Sequence, residues 1–299
     1  METKTNNNPF VALLPQIKSE FTKILTLKSW WIFALVSFIL SASFSALIAF
    51  ALSVMDSPPK STGIGIHADS INNLSVGIDA GFQVWSGVVI AVGLVQTVMM
   101  VFAILSVSSE YKYGTIKSTI LFASSKMKVL VAKASAVSVY VIAVTALNIL
   151  LSFVISYLIV SKNSLNKTLG EIISFGIGWS GFGSILAVVF SSLFALGLAF
   201  AIRTSSAVIT ITIVITNVIG GIIALVVTRI EAIAYLRLIW LDNAFNQAIS
   251  IESGGANDII TSSSKTIENL NNPQALLVMF AWAMLSLIIG AIVFKKRDV

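Results

Sequence analysis

Apolar residues run in six long blocks along this chain, separated by short polar or charged stretches. The blocks fall at Trp30–Val54, Phe82–Val107, Val129–Val160, Ile172–Ile202, Ser205–Val227 and Gln274–Phe294. Each exceeds the roughly 18 residues that a helix needs to cross a bilayer. Inside lipid the helix is forced, because hydrocarbon offers no partner to an unpaired backbone group. The pattern therefore predicts an all-α integral membrane protein. Residues 1–29 form a cytoplasmic leader and residues 30–299 a six-span domain.

The leader carries its own pattern. Leu14, Ile17, Phe21, Ile24 and Leu25 recur at three- and four-residue steps, while Lys18, Glu20 and Lys23 fall elsewhere on the wheel. Pro15 sits near the start, where a missing N–H costs little. This predicts a helix along the membrane face, with Trp30 and Trp31 anchored at the lipid–water boundary. A basic flank that only sets topology is the plainer reading.

Composition agrees with the spans. Of the 299 residues 57% are hydrophobic and 11% charged, against roughly 25% charged in ordinary soluble domains. Mean hydropathy is +0.95. Cysteine is absent, which excludes disulfides, thiolate catalysis and Cys-bound metals together, and a single histidine, His67, argues against a His-based metal site. The first apolar run is too long for a signal-peptide core, so no cleavable signal is expected.

The position of the charges explains the net +6. With the N-terminus in the cytoplasm, thirteen of the nineteen lysines and arginines face that side, including Lys133, and nine of the thirteen acidic residues face the other. Basic residues favour the cytoplasmic face, so both termini are expected there; the membrane is expected to be the plasma membrane. The excess is a topology signal and predicts no nucleic-acid partner.

SEYKYGTIKST (Ser109–Thr119) looks at first like part of a phosphate-cradling loop. Such a loop needs a second glycine directly before its lysine, and Ile116 stands there instead. GIGWSGFG (Gly176–Gly183) has no lysine. No nucleotide site is expected. Tyr113, Ile116 and Ile120 instead share a helical face, and Glu110 suits the positive end of a helix beginning there. That predicts a short cytoplasmic helix able to dock a soluble partner; a turn on the lipid surface is the alternative.

The segment between the first two spans, with His67, is Gly-, Ser- and Pro-rich and reads as an external loop. After the fifth span, TRIEAIAYLRLIWLDNAFNQAIS is amphipathic and carries Tyr235, Trp240 and Phe245, which suggests an outer or re-entrant helix. ESGGANDIITSSSKTIENLNNP is polar and reads as a loop. Within the spans the polar exceptions are Gln96, Asn148 and Asn217, whose default role is hydrogen bonding between helices.

Taken in order, these segments resemble the permease subunits of ABC type-2 transporters. The carriers are KILTLKSWW, then SSEYKYGTIKSTILFASSKMKVLVAK, with Glu110, Gly114, Thr115, Ile116, Lys126 and Lys133 at the family's positions, and the terminal FKKRDV. The departure is at ASSKMK, which lacks the proline and arginine common there. The resemblance implies two paired permeases, identical or merely related, with a separate ATPase that binds ATP and Mg. It implies a coupling helix at Glu110–Thr119, including Tyr113, Gly114, Thr115, Ile116 and Lys117. It also implies an external gate near Tyr235, Trp240 and Phe245, and a cargo such as a drug, antimicrobial peptide, lipid or polysaccharide. No cofactor is expected on this chain. A stand-alone carrier or channel is the alternative, and a membrane enzyme is disfavoured because Asp79, Asp242 and His67 are scattered.

Overall fold

In a computed structural model of the chain, the structure describes residues 9–26, 28–55, 80–122, 125–161, 170, 172–173, 181–227, 231–250, 259–261 and 266–296. The helices are α1 (Pro9–Thr26), α2 (Lys28–Met55), α3 (Ala80–Lys112), α4 (Ile116–Phe122), α5 (Lys126–Val160) and α6 (Phe182–Ile202). They continue with α7 (Ser205–Ile213), α8 (Gly220–Val226), α9 (Glu231–Ile239), α10 (Leu241–Ile249) and α11 (Asn272–Lys296). A π-helical turn, Val214–Ile219, joins α7 to α8. Among the described residues, six helices are long and apolar enough to span a membrane: α2, α3, α5, α6, the continuous Ser205–Val226 rod, and α11. This is a multi-pass membrane protein.

Several boundaries differ from the hydropathy reading. The fourth span was expected from Ile172, but its described helix begins at Phe182, and residues 174–180 lie outside the described residues. His67, Asp79 and the loop around them also lie outside. The polar stretch after α10 contains an antiparallel hairpin, β1 (Ile259–Thr261) with β2 (Thr266–Glu268), where a plain loop was expected. Its register pairs Ile260 with Ile267.

α3 and α6 are the most enclosed spans, with more than half of their apolar windows buried. α3 packs against α2, α5 and α6, while α11 lies along α6. Two glycines permit that last contact. A Cβ on Gly197 would sit 2.5 Å from Ser286 Oγ, and one on Gly290 would sit 2.5 Å from the Gly197 carbonyl oxygen. Ser286 Oγ donates to the Phe194 carbonyl at 2.6 Å, so backbone meets backbone at this crossing.

Two of the three amides singled out within the spans are tied inward. Gln96 Nε2 donates to Ser191 Oγ at 2.9 Å, joining α3 to α6. Asn148 Oδ1 accepts from Ser41 Oγ at 2.7 Å and its Nδ2 donates to Ser37 Oγ at 3.2 Å, joining α5 to α2. Asn217, in the π-helical turn, is exposed.

The leader helix does not lie alone. α1 packs against α5, with Ile24 buried and Phe21 packed on the core. Its start at Pro9 leaves Pro15 inside the helix rather than at its first turn. At the junction with α2, Trp30 turns inward, donating Nε1 to the Leu25 carbonyl at 2.5 Å, and Tyr140 Oη donates to the Trp30 carbonyl at 2.9 Å. Trp31 faces outward, 64% exposed.

Candidate functional site

The end of the molecule that carries α1 and α4 holds a cluster of four charges that the sequence reading scattered. Lys133, on α5, is 4% exposed and lies within the apolar start of the third span. An ammonium there is costly unless paired. Its Nζ lies 3.0 Å from Glu20 Oε2 on α1 and 2.9 Å from Glu110 Oε1 on α3, and donates to the Ser106 carbonyl at 3.2 Å. All three of its protons therefore have acceptors. Lys23 closes the ring, 2.6 Å from Glu20 Oε1 and 3.7 Å from Glu110 Oε1, and it donates to Thr119 Oγ1 at 3.3 Å. Two carboxylates and two ammoniums thus bind α1, α3, α4 and α5 together.

Burial by itself would raise the Glu20 carboxyl, but Lys133 and Lys23 outweigh it and hold the group below the ordinary glutamate value. Glu20 is therefore ionised at neutral pH. This corrects its placement on the polar side of the wheel: Glu20 shares the packed side with Ile24, four residues on. Lys133, counted among the basic residues of the cytoplasmic side, belongs to a buried network. The signal that could have found them is Lys133 itself, a lone charge in the apolar run VLVAKASAV.

Glu110 does not open the tip helix. It lies in the last turn of α3, which continues to Lys112. The chain then turns through Tyr113–Thr115, where Gly114 has φ +70°, a left-handed conformation that disfavours a side chain. Only then does α4 begin at Ile116, whose side chain is 3% exposed and joins the core. Tyr113 projects outward, 74% exposed, with Lys112 Nζ 5.8 Å from its ring. The expected shared face of Tyr113 and Ile116 is thus split, one residue out and one in. Thr115 is exposed, and its carbonyl accepts from Ser118 Oγ at 2.7 Å. Lys117 is on α4, with its side chain outside the described residues.

Behind this tip is a cavity of about 360 Å³ between α1, α4 and the start of α5, lined by Gln16, Ser19, Glu20, Ser118, Thr119 and Val129. Nearby, Arg203 makes the turn from α6 to α7 at φ 67° and stacks its guanidinium 5.1 Å from the Tyr111 ring.

At the opposite end, the segment expected to form one amphipathic helix bends at Trp240 into α9 and α10. Trp240 Nε1 donates to the Ile215 carbonyl of the π-helical turn at 3.1 Å, and Trp282 Nε1 donates to the Ile239 carbonyl at 2.8 Å. Phe245 is buried, while Tyr235 is 52% exposed. The two tryptophan-tethered helices therefore fold back on the fifth and sixth spans. α10 reaches α6 as well, since a Cβ on Gly183 would sit 2.5 Å from the Ala248 carbonyl oxygen. Asp242 lies against Gly220; burial raises its carboxyl above the ordinary range, opposed by Arg237 and a hydrogen bond from Asn246.

Residues 70–299 match the family described as "Protein of unknown function (DUF2705)". The chain belongs to that family. The matched region takes in α3 through α11, and so Glu110, Lys133, the Gly114 turn and the tryptophan-tethered helices, but not α1 and Glu20. No curated protein matches the chain.

Proposed function

We propose that the chain is the membrane-spanning permease of an ATP-driven exporter, working with a separate ATPase subunit that binds ATP and Mg. Its cargo is hydrophobic or amphipathic: a drug, an antimicrobial peptide or a lipid. The reading places it in the plasma membrane with both termini in the cytoplasm. It extends the resemblance to ABC type-2 permeases, and one observation carries it. The exposed Tyr113–Thr115 turn and α4 sit at the tip between two of the longest helices, and the buried ion pairs behind that tip join α1, α3 and α5.

Such a tip can receive a push and pass it on. Closure of an ATPase against Tyr113, Gly114 and Thr115 would move α4. Lys23 and Thr119 link α4 to the charge cluster, and the cluster moves the ends of α3 and α5 together. At the far end, α9 and α10 fold over the fifth and sixth spans and serve as the external gate, opened when those spans shift.

The test is to isolate the chain with and without co-expressed ATPase subunits. Alone it should hydrolyse no ATP; with its partner, hydrolysis should rise when cargo is present. Turnover by the isolated chain would end the reading. One feature favours a second reading, a stand-alone carrier: Lys133 and Glu20 are buried together, with the partly buried Glu110 beside them. The set is balanced two against two and lies at the end of α3 and α5, as expected of a structural clasp. Uptake or efflux driven by a proton gradient without ATP would favour the carrier.

A further inference from the structure

Neither the ion pairs nor the Tyr113–Thr115 turn uses the cavity behind the tip, about 360 Å³ between α1, α4 and the start of α5. Its walls hold polar groups with unused hydrogen-bonding capacity. Lys23 Nζ donates to Glu20 Oε1 and Thr119 Oγ1, which leaves one of its three protons, since Glu110 Oε1 at 3.7 Å is beyond hydrogen-bond reach. The half-buried Gln16 amide makes no hydrogen bond among the described residues, and its Oε1 is sealed from water. The last torsion of a glutamine is soft, so the amide can turn either its donor or its acceptor into the cavity. Ser19 adds an exposed hydroxyl.

Charge at this place favours an anion. Glu20 and Glu110 are balanced by Lys23 and Lys133. Lys18 on α1 and Lys126 and Lys128 in the first turn of α5 exceed that balance, and the positive N-terminal end of α5 stands beside Val129 in the cavity wall. The rim, by contrast, is apolar. Leu121 on α4 is 84% exposed, and Met127 and Val131 on α5 are exposed too, each within two residues of a lining residue. The span formed by α5 begins here, so an opening edged with apolar side chains faces headgroups and the first acyl carbons rather than bulk water.

From these observations we infer that the cavity holds the phosphoglycerol headgroup of an anionic phospholipid. The phosphate lies against Lys23 and Ser19, the glycerol hydroxyls meet the Gln16 amide, and the acyl chains run over Leu121, Met127 and Val131. A hydroxyl both donates and accepts, as the amide does, which a quaternary ammonium headgroup cannot match. Basic pockets beside membrane helices recognise anionic headgroups through the same chemistry. The site requires only a chain seated in a membrane, so it stands whether the protein is an exporter or a carrier.

The full chain would be purified alone in a mild detergent, stripped of lipid, and offered dioleoyl phosphatidylglycerol or dioleoyl phosphatidylcholine. Retained lipid is counted by native mass spectrometry. A single phosphatidylglycerol should be kept, and phosphatidylcholine should bind about fivefold more weakly or worse. Gln16→Leu should lower retention of phosphatidylglycerol about fivefold or more. Ser19→Phe, which blocks the mouth from an exposed position, should abolish it. Lys112→Gln removes an exposed charge at the same end but outside the cavity, and should leave retention unchanged. An unchanged thermal midpoint of the lipid-free variants separates lost binding from misfolding; should Ser19→Phe lower it, Gln16→Leu decides. Equal retention of the two lipids, indifference to Gln16→Leu, or an equal loss in Lys112→Gln would each overturn the site. Glycerol phosphate binding as tightly as the lipid would overturn its assignment to a membrane component.

Discussion

Lys133 Nζ lies 3.0 Å from Glu20 Oε2, fastening the leader helix to the third span by a pair that is all but sealed from solvent. Neither residue belongs to the apolar pattern that defines the fold, yet together they tie α1 to α5 beside the packing of Phe21 and Ile24.

Lys133→Met should therefore be among the most damaging substitutions at this end. It leaves Glu20 and Glu110 facing one another with only the half-exposed Lys23 between them. Breaking a buried ion pair costs about 3–5 kcal/mol. The expected outcome is a lower thermal midpoint in detergent, with most of the loss recovered when Glu20 and Glu110 are replaced by Gln in the same chain. No recovery would place the damage in packing rather than charge.

The same pair makes docking of α1 sensitive to acid. The Glu20 carboxyl is held below its ordinary 4.5 in the folded chain. Its contribution is thus fully present above about pH 4.5 and is lost as pH falls through the depressed folded value. Protease cleavage within the leader should stay slow from neutral pH down to that region and accelerate below it. Glu20→Gln should cleave faster at neutral pH and lose its share of the acid response.

At the tip, Gly114→Pro is expected to abolish coupling while leaving the spans inserted. Proline fixes φ near −65°, and the turn requires +70°. Cargo-stimulated ATP hydrolysis by the assembled complex is the readout, with membrane yield as the control. Glu110→Lys should act differently, by adding a third ammonium to the cluster and releasing α1, so its leader should become protease-sensitive while Gly114→Pro leaves it protected. Full stimulation in both variants would remove the docking role from this turn.

At the opposite end, Gly220→Ala should loosen α10 from the fifth span. The new methyl would stand 2.8 Å from Asp242 Cβ, and such overpacking costs about 1–3 kcal/mol. Hydrogen exchange in α10 should rise, whereas Gly93→Ala, which meets nothing within 4 Å, should leave it unchanged. Adding Asp242→Gly to Gly220→Ala, which removes that Cβ, should restore part of the protection.

The six spans were legible in the sequence because lipid leaves an apolar chain few options, and hydropathy reads that constraint directly. The clasp was not legible. A wheel drawn for α1 alone sorts Glu20 with Lys18 and Lys23, since nothing local announces that Lys133 waits opposite. Glu110 was misplaced for a related reason: it suits the first turn of a helix, but α3 runs on past it until Gly114 turns the chain. The bend at Trp240 escaped because the amphipathic pattern continues across it, while the deciding contact, Ile215, lies on another helix. Asn217 was visible as a residue, but its outward direction follows from how the fifth span is seated.

The meeting of Gly197 with Gly290 bears on how this molecule can move. Their main chains touch there, and the ring pairs Phe194–Trp282 and Phe200–Phe294 interlock on either side, so α6 and α11 are expected to travel as one post. In the exporter proposed above, any swing that opens a path would then fall to their neighbours, above all the fifth rod, with its widened turn at Val214–Ile219 as the place to flex.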